Sequence, residues 1–310
     1  MFKAPEPSSA AVTVDLAELV ALSNNARQLQ LRPRRIRARQ GGQYISRMRG
    51  RGMEFDESRP YQPGDDVRNI DWRVTARTGK THSKVFREER ERPVLISVDA
   101  RPPMFFATRG RFKWVQAARL AGLLAWTAHQ AGDRVGGEIH GEEGFSEFRP
   151  RRGKQAVLRF VKSLADVGGA AGAGAVHHSG MEKVFRRMRR TAHPGSLVIF
   201  ISDFRGFDEA SERQLARIAR HNDVLLLHVY DWLEASLPQR GHYRLGDGKN
   251  TLELDTGKAA LRNSYHQQYR QRIARLQKLC RQQHMTWLQC ATDDDPALVL
   301  RNVFGKGNGA

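Results

Sequence analysis

The sequence predicts an α/β fold: a doubly wound, mostly parallel sheet, with an irregular N-terminal region that carries a helix. Three observations predict it. PVLISVD at 93–99, SLVIFISDF at 196–204 and DVLLLHVYD at 223–231 are short runs apolar at nearly every position, as strands buried on both faces are. Helical patterns separate these runs. Strand-like and helix-like segments then alternate over roughly two-thirds of the chain, the signature of a sheet covered by helices on both sides.

Taken in order, residues 1–12 read as disordered. Thr13 is placed to cap a helix beginning at Val14, with Leu16, Leu19, Val20 and Leu22 near one face, and the helix is expected to end near Gln30, before Pro33. Arg34–Gly52 is basic, broken by Gly41, Gly42, Gly50 and Gly52. Gly52–Gly79, GMEFDESRPYQPGDDVRNIDWRVTARTG, reads as neither helix nor strand. After Pro93–Asp99 comes a long helical pattern, Arg111–Ala131, whose LAGLLAWTAH core is apolar nearly all round and therefore buried. DRVGGEIHG and GFSEFRP form a strand pair, and Lys154–Ala165 is amphipathic. VGGAAGAGAVHHSG, Val167–Gly180, is a flexible loop, followed by a basic helix, Met181–Arg190. A helix over Asp208–Arg220, a hairpin in YRLGDGKNTLEL, a long helix over Lys258–Gln283, a strand MTWLQC and a helix opened by Pro296 complete the pattern. Two domains are expected: 1–92, the helix with the basic and irregular stretch, and 93–305, the sheet domain.

Composition narrows the function classes. Hydrophobic residues make up 40% and charged residues 27%, ordinary for a globular protein. No apolar run has the length of a transmembrane helix, and the first residues lack a signal-peptide pattern. Cys280 and Cys290 are the only cysteines, which fits a reducing compartment; the expectation is a cytoplasmic protein. The formal net charge of +19 favours an acidic partner: nucleic acid, an anionic membrane surface or an acidic protein. Arg27–Arg51 holds nine arginines and no Asp or Glu, and Arg186, Arg187, Arg189 and Arg190 form a second cluster. A solvated basic face and a docking surface both explain such runs. Tyr44 is the one aromatic in the first run, a poor platform for stacked bases.

Candidate sites follow from residue type and place. Asp99 and Asp203 stand at the carboxyl ends of buried strands, where open α/β sheets bind ligands; strand-end aspartates also simply cap the next turn. In the irregular block, Glu54, Asp65, Asp66 and Asp71 lie among Arg59, Arg68, Arg73 and Arg77, around Tyr61 and Trp72. Arginine forks pair with carboxylates in two parallel hydrogen bonds, so the block reads as a salt-bridged clamp, a docking face, or both. No Ser, Cys or His is read as a nucleophile among these carboxylates, and His82 is the one nearby histidine. Gly79-Lys80-Thr81 lacks the glycine spacing of a phosphate loop, and the histidine pairs lack metal-ligand spacing. The expectation is a protein that is not an enzyme.

RGRGMEFDESRPYQPGDDVRNIDWRVTAR, then KVFREERERPVLISVD, AARLAGLLAWTAHQAGDRVG and ISDF together resemble the bacterial domain-of-unknown-function family 58. The resemblance covers most of residues 35–230 and implies a von Willebrand factor type A-like fold. It also implies a partner, an AAA+ ATPase of the MoxR type, beside which such proteins are thought to act as adaptor or chaperone-like factors, with other type A-domain proteins as further candidates. The type A fold normally holds Mg²⁺ or Mn²⁺ through an Asp-x-Ser-x-Ser strand end, a Thr and a third-loop Asp. Here Asp99 is in place, but Arg101 and Pro103 stand where the serines would be, and the Val167–Gly180 loop has no Thr. Asp203 remains as the third-loop candidate. The pattern implies a degenerate site, with no cofactor, in which Arg101 either takes the cation's place and pairs with Asp99 or Asp203, or points to solvent from a rewired loop. Nucleic-acid binding through the basic run is the alternative function.

Overall fold

The computed structural model describes residues 9–31, 53–63, 65–88, 92–141, 144–168, 180–235, 237, 241–246, 251–257 and 259–305. The expected disorder of residues 1–8, most of the Arg27–Arg51 run and most of the Val167–Gly180 loop lie outside these residues. Two compact units emerge, one made of 1–34 with 92–310 and the other of 35–91. The N-terminal helix therefore groups with the sheet and not with the irregular stretch, contrary to the expected 1–92 grouping.

In the larger unit, α1 (Ser9–Val12), a stretch expected to lack structure, precedes α2 (Leu16–Ala26). Asp15, not Thr13, caps α2 by accepting from the Ala17 N–H at 3.1 Å, and the helix ends at Ala26 rather than near Gln30. The reason for the grouping is burial: Leu19 and Ala26 are fully buried, and the Trp126 indole donates to the Leu19 carbonyl at 2.9 Å. Trp126 lies on α4 (Lys113–Gln130), which is sandwiched between α2 and the sheet, so its predicted all-round apolarity is used on every side.

The sheet has six strands: β3 (Pro93–Asp99), β4 (Arg134–His140), β5 (Phe145–Arg151), β6 (Leu197–Ser202), β7 (Asp223–Tyr230) and β10 (Thr286–Ala291). Their order is β10-β7-β6-β3-β4-β5, all pairs parallel except β4 with β5. This is a doubly wound order, and the direction of winding reverses between β3 and β6, where such sheets open a crevice. One face, carrying Val94, Ile96 and Val98 of β3, packs with α2, α4, α5 (Lys154–Gly168) and α10 (Pro296–Phe304). The other, carrying Leu95, Val198 and Phe200, packs with α6 (Met181–Thr191), α7 (Glu209–Ala219) and the C-terminal half of α9 (Ala259–Gln282). The short α8 (Trp232–Ala235) follows β7, and β8 (His242–Gly246) pairs with β9 (Thr251–Asp255) as the expected hairpin.

The smaller unit corrects the sequence reading. Its block is not irregular: β1 (Met53–Pro60) and β2 (His82–Glu88) form an antiparallel ribbon. A 3₁₀ turn at Val67–Asn69 and the helix α3 (Trp72–Thr78) fill the connection. A strand reading MEFDESRP lacks the apolar alternation by which strands are recognised, and a two-stranded ribbon does not impose it.

Candidate functional site

The carboxyl ends of β3 and β6 bring Asp99 and Asp203 to the reversal point. Asp99 is fully buried. Its Oδ1 accepts from the Arg101 backbone N–H at 3.0 Å and from Nε at 2.9 Å; its Oδ2 accepts from Arg101 Nη2 at 2.6 Å and from Ser202 Oγ at 2.6 Å. Arg101 thus forks onto Asp99, one of the two pairings expected for it. Pro102 at the start of the following 3₁₀ turn holds the backbone in the shape that returns the side chain. Burial pushes the Asp99 carboxyl up, but Arg101 and His140 beside it more than compensate and hold it below the usual range.

Asp203 does not pair with Arg101 here. Its Oδ2 accepts from Lys113 Nζ at 3.0 Å, and its Oδ1 takes the Arg205 backbone N–H at 3.0 Å. Lys113, at the first turn of α4, has no exposed surface, and its ammonium also donates to both oxygens of Glu234, at 2.7 and 2.8 Å. Arg205 closes the group on Glu234 at 2.6 Å. Burial raises the Asp203 carboxyl, yet Lys113 and Arg205 hold it far below its ordinary value. Three carboxylates, Asp99, Asp203 and Glu234, therefore face three basic side chains, Arg101, Lys113 and Arg205.

The sequence reading missed Lys113, Glu234, Arg205, Ser202 and His140. A lysine opening a helix that is otherwise apolar nearly all round was the available signal, since such a charge is buried only when paired.

This donor set does not fit a divalent cation. A hard cation needs several free oxygens. Both Asp99 oxygens and both Asp203 oxygens already accept from the chain's own donors, and Arg101 fills the space beside Asp99. At this end of the sheet, the pole formed by the strand ends, Ser97 is not set up as a nucleophile. Ser97, His140 and Asp99 run in triad order, but Ser97 Oγ is 3.5 Å from His140 Nδ1 and His140 Nε2 is 3.6 Å from Asp99 Oδ1. All three are buried, and both contacts are longer than the roughly 2.6–3.2 Å of a proton-transferring hydrogen bond. Burial, aided by Arg101, pushes the His140 imidazole down to about 4. Ser97 Oγ instead donates to Glu138, which Arg187 also binds. Away from the pole, a cavity of 460 Å³ at the junction of α9 and β10 is lined by Cys280, Arg281, His284 and Trp287; burial pushes the Cys280 thiol up to about 12, so it is no nucleophile at neutral pH.

In the smaller unit the acids cap backbone more than they clamp arginines. Arg59 pairs with Asp65 at 2.7 Å, and Asp65 also takes the Gln62 N–H at 3.0 Å. The Tyr61 hydroxyl reaches the Asp65 carbonyl at 3.4 Å. Asp66 accepts from the Arg68 N–H, and Asp71 caps α3 through the Val74 N–H while accepting from Ser58 Oγ at 2.7 Å. Arg68, Arg73 and Arg77 are exposed, and Trp72 is 70% exposed. Among the described residues these three arginines do not form the expected forks; the Glu54 side chain lies outside them.

Uncharacterized proteins of Mycobacterium tuberculosis and Mycobacterium bovis are 30% identical to this chain over 209 residues, 67% of it. The chain spans 65% of the length of these curated relatives. Similar solved structures include a conserved hypothetical protein, BatB, from Bacteroides thetaiotaomicron, with TM-score 0.44 and 15% identity over 64% of this chain and 90% of that one. An aerotolerance-related membrane protein from Bacteroides fragilis gives 0.45 and 12% over 68% and 96%, and a von Willebrand factor type A structure from Catenulispora acidiphila gives 0.37 and 13% over 71% and 42%. The family described as protein of unknown function DUF58 matches residues 57–275, well over half of the sequence, and the chain belongs to that family.

Proposed function

We propose that this chain is a non-catalytic, metal-independent protein-interaction module that works as an adaptor beside an AAA+ ATPase of the MoxR type. The observation that carries the metal-independent part is the self-neutralised pole: Arg101 on Asp99 and Lys113 on Asp203 and Glu234 supply internally the charge that a bound cation would bring. The ATPase is the partner class implied by the family resemblance. An exposed tryptophan among exposed arginines on α3 supports an interaction role, because Trp and Arg are the residues most enriched among binding hot spots.

The test is affinity purification of the tagged protein from its native host in nuclease-treated lysate, read by mass spectrometry. A MoxR-type ATPase is expected to co-purify, and Trp72→Ala is expected to lower its recovery by about tenfold or more. Recovery of no AAA+ protein from wild type sinks the adaptor role. Partners that vanish on nuclease treatment favour the nucleic-acid alternative. Titration calorimetry with Mg²⁺ and Mn²⁺ is expected to show no binding heat; micromolar binding abolished by Asp99→Ala overturns the metal-independent part.

A further inference from the structure

The edge strand β5 ends the six-stranded sheet, and its backbone has no partner strand on the outer side among the described residues. Five of its seven residues are exposed. On one face Phe148 packs edge-to-face on Phe160 of α5, with ring centroids 5.4 Å apart. On the other, α6 forms a rim: Arg187 sits 4.2 Å over the Phe145 ring, and the Thr191 hydroxyl donates to Glu147 at 3.3 Å. The strand is thereby held between two helices, while no strand among the described residues covers its outer edge.

Pro150 falls near the C-terminal end of β5. The pairing of Val135 with Arg151 and of Gly137 with Phe148 leaves β5 one residue longer than β4 at a bulge. Pro150 lies in this bulge, its nitrogen 2.6 Å from the place a Cβ on Gly136 would take. Ahead of the bulge, Phe145 to Phe148 pair with β4 in unbroken register, and a strand paired on one side alone keeps on its other edge the donors and acceptors by which a further strand can add.

Charge selects what can add. Arg149 and Arg151 on β5 and Arg186, Arg189 and Arg190 on α6 are all exposed. Among the described residues, no carboxylate pairs with Arg149, Arg151, Arg189 or Arg190. Two copies of this edge would repel each other, so the cations protect against self-pairing while favouring an acidic strand. For a stacked nucleic acid the edge offers one half-exposed ring, Phe145, with Arg187 over one face, a poor platform for successive bases.

We propose that the outer edge of β5 docks an acidic, extended polypeptide segment as a seventh strand. This deepens the protein-interaction reading and rests on it, but does not depend on which protein carries the segment. Recovery of the ATPase with a failed peptide test sinks only the edge; peptide binding without ATPase recovery sinks only that partner.

The probe is a fluorescein-labelled peptide of about ten residues alternating Glu and Val, with two twins N-methylated on odd or on even amides. Added strands use the amides of one side alone, so the unmethylated peptide and one twin are expected to bind by anisotropy, and the other twin to bind about tenfold more weakly or worse. Affinity is expected to fall with salt and to drop at least about tenfold in Arg149→Glu/Arg151→Glu protein that retains wild-type circular dichroism. No binding at high micromolar peptide, equal binding of both twins, unchanged affinity of the charge-reversed protein, or tighter binding of single-stranded DNA of matching length each overturns the proposal. Should the charge-reversed protein fail to fold, the methylated twins on wild type decide.

Discussion

Lys113 has no exposed surface, and its ammonium rests on three carboxylate oxygens, one from Asp203 and two from Glu234. An ammonium has three donors, so all are used. Lys113→Met keeps the length of the stem but strands two buried carboxylates beside Arg205 alone. Removing one partner of a buried ion group costs about 3–5 kcal/mol, and urea denaturation is expected to show a loss of that size; a loss below about 1 kcal/mol would mean that water or rearrangement replaces the ammonium. Combining Lys113→Met with Asp203→Asn is expected to recover much of the loss, because Glu234 then keeps Arg205 as its partner and no uncompensated charge remains. Asp99, Arg101 and Asp203 were legible in the sequence because strand ends mark themselves and Arg101 is two residues from its partner. Lys113 was not: it is 90 residues from Asp203 and 121 from Glu234, and only the folded sheet brings them together.

β4 shows how an element can be closed in on both sides. A Cβ on Gly136 would lie 2.6 Å from the Phe148 carbonyl oxygen of β5. Gly137 has φ +148°, and its Cβ would lie 1.9 Å from the Ile96 carbonyl oxygen of β3. Gly137→Ala therefore combines a disfavoured backbone with a clash against backbone that cannot move without breaking the ladder. A loss above about 4 kcal/mol, or insoluble protein, is the expected outcome of expression and urea unfolding. Gly79→Ala supplies the contrast. Gly79, at the end of α3, has φ +69°, but the place a methyl group would take there has nothing within 4 Å, so only the backbone preference is lost, about 1 kcal/mol. Equal effects at the two glycines would contradict the steric account. The buried strands of the sheet were legible because they are apolar throughout. The β1–β2 ribbon was not, because MEFDESRP and HSKVFRE are rich in charge, which hides the apolar alternation that marks a strand.

Across the larger unit, protons link these local networks to stability. His140 is held at about 4 and His228 at about 3, each first by burial, with Arg101 and Arg187 adding to the effect at His140 and Arg272 at His228. His228 is stacked 5.5 Å from both Tyr230 and Trp287, with Phe204 and Tyr269 also close. In the unfolded chain both imidazoles take a proton near pH 6.5. Between that value and about pH 4 the unfolded state binds more protons than the folded one, so stability must fall as pH is lowered through this window. Glu138 acts in the opposite sense, since burial raises its carboxyl despite Arg187, and protonating it relieves part of that cost. Asp99 and Asp203, both held below the ordinary carboxylate range, add their own loss only at lower pH. Urea midpoints measured from pH 7 downward are therefore expected to drop well before carboxylates titrate. The loss should be on the order of 2–3 kcal/mol from each imidazole once the window is crossed. Replacing His228 by Phe keeps a ring in the aromatic stack and removes the titrating group, and adding His140→Gln removes the second. The double variant should hold nearly constant stability from about pH 6.5 to about 4.5. A wild-type midpoint that stays flat over that range, or a double variant that falls as steeply as wild type, would show that the imidazoles are not the groups that sense the proton.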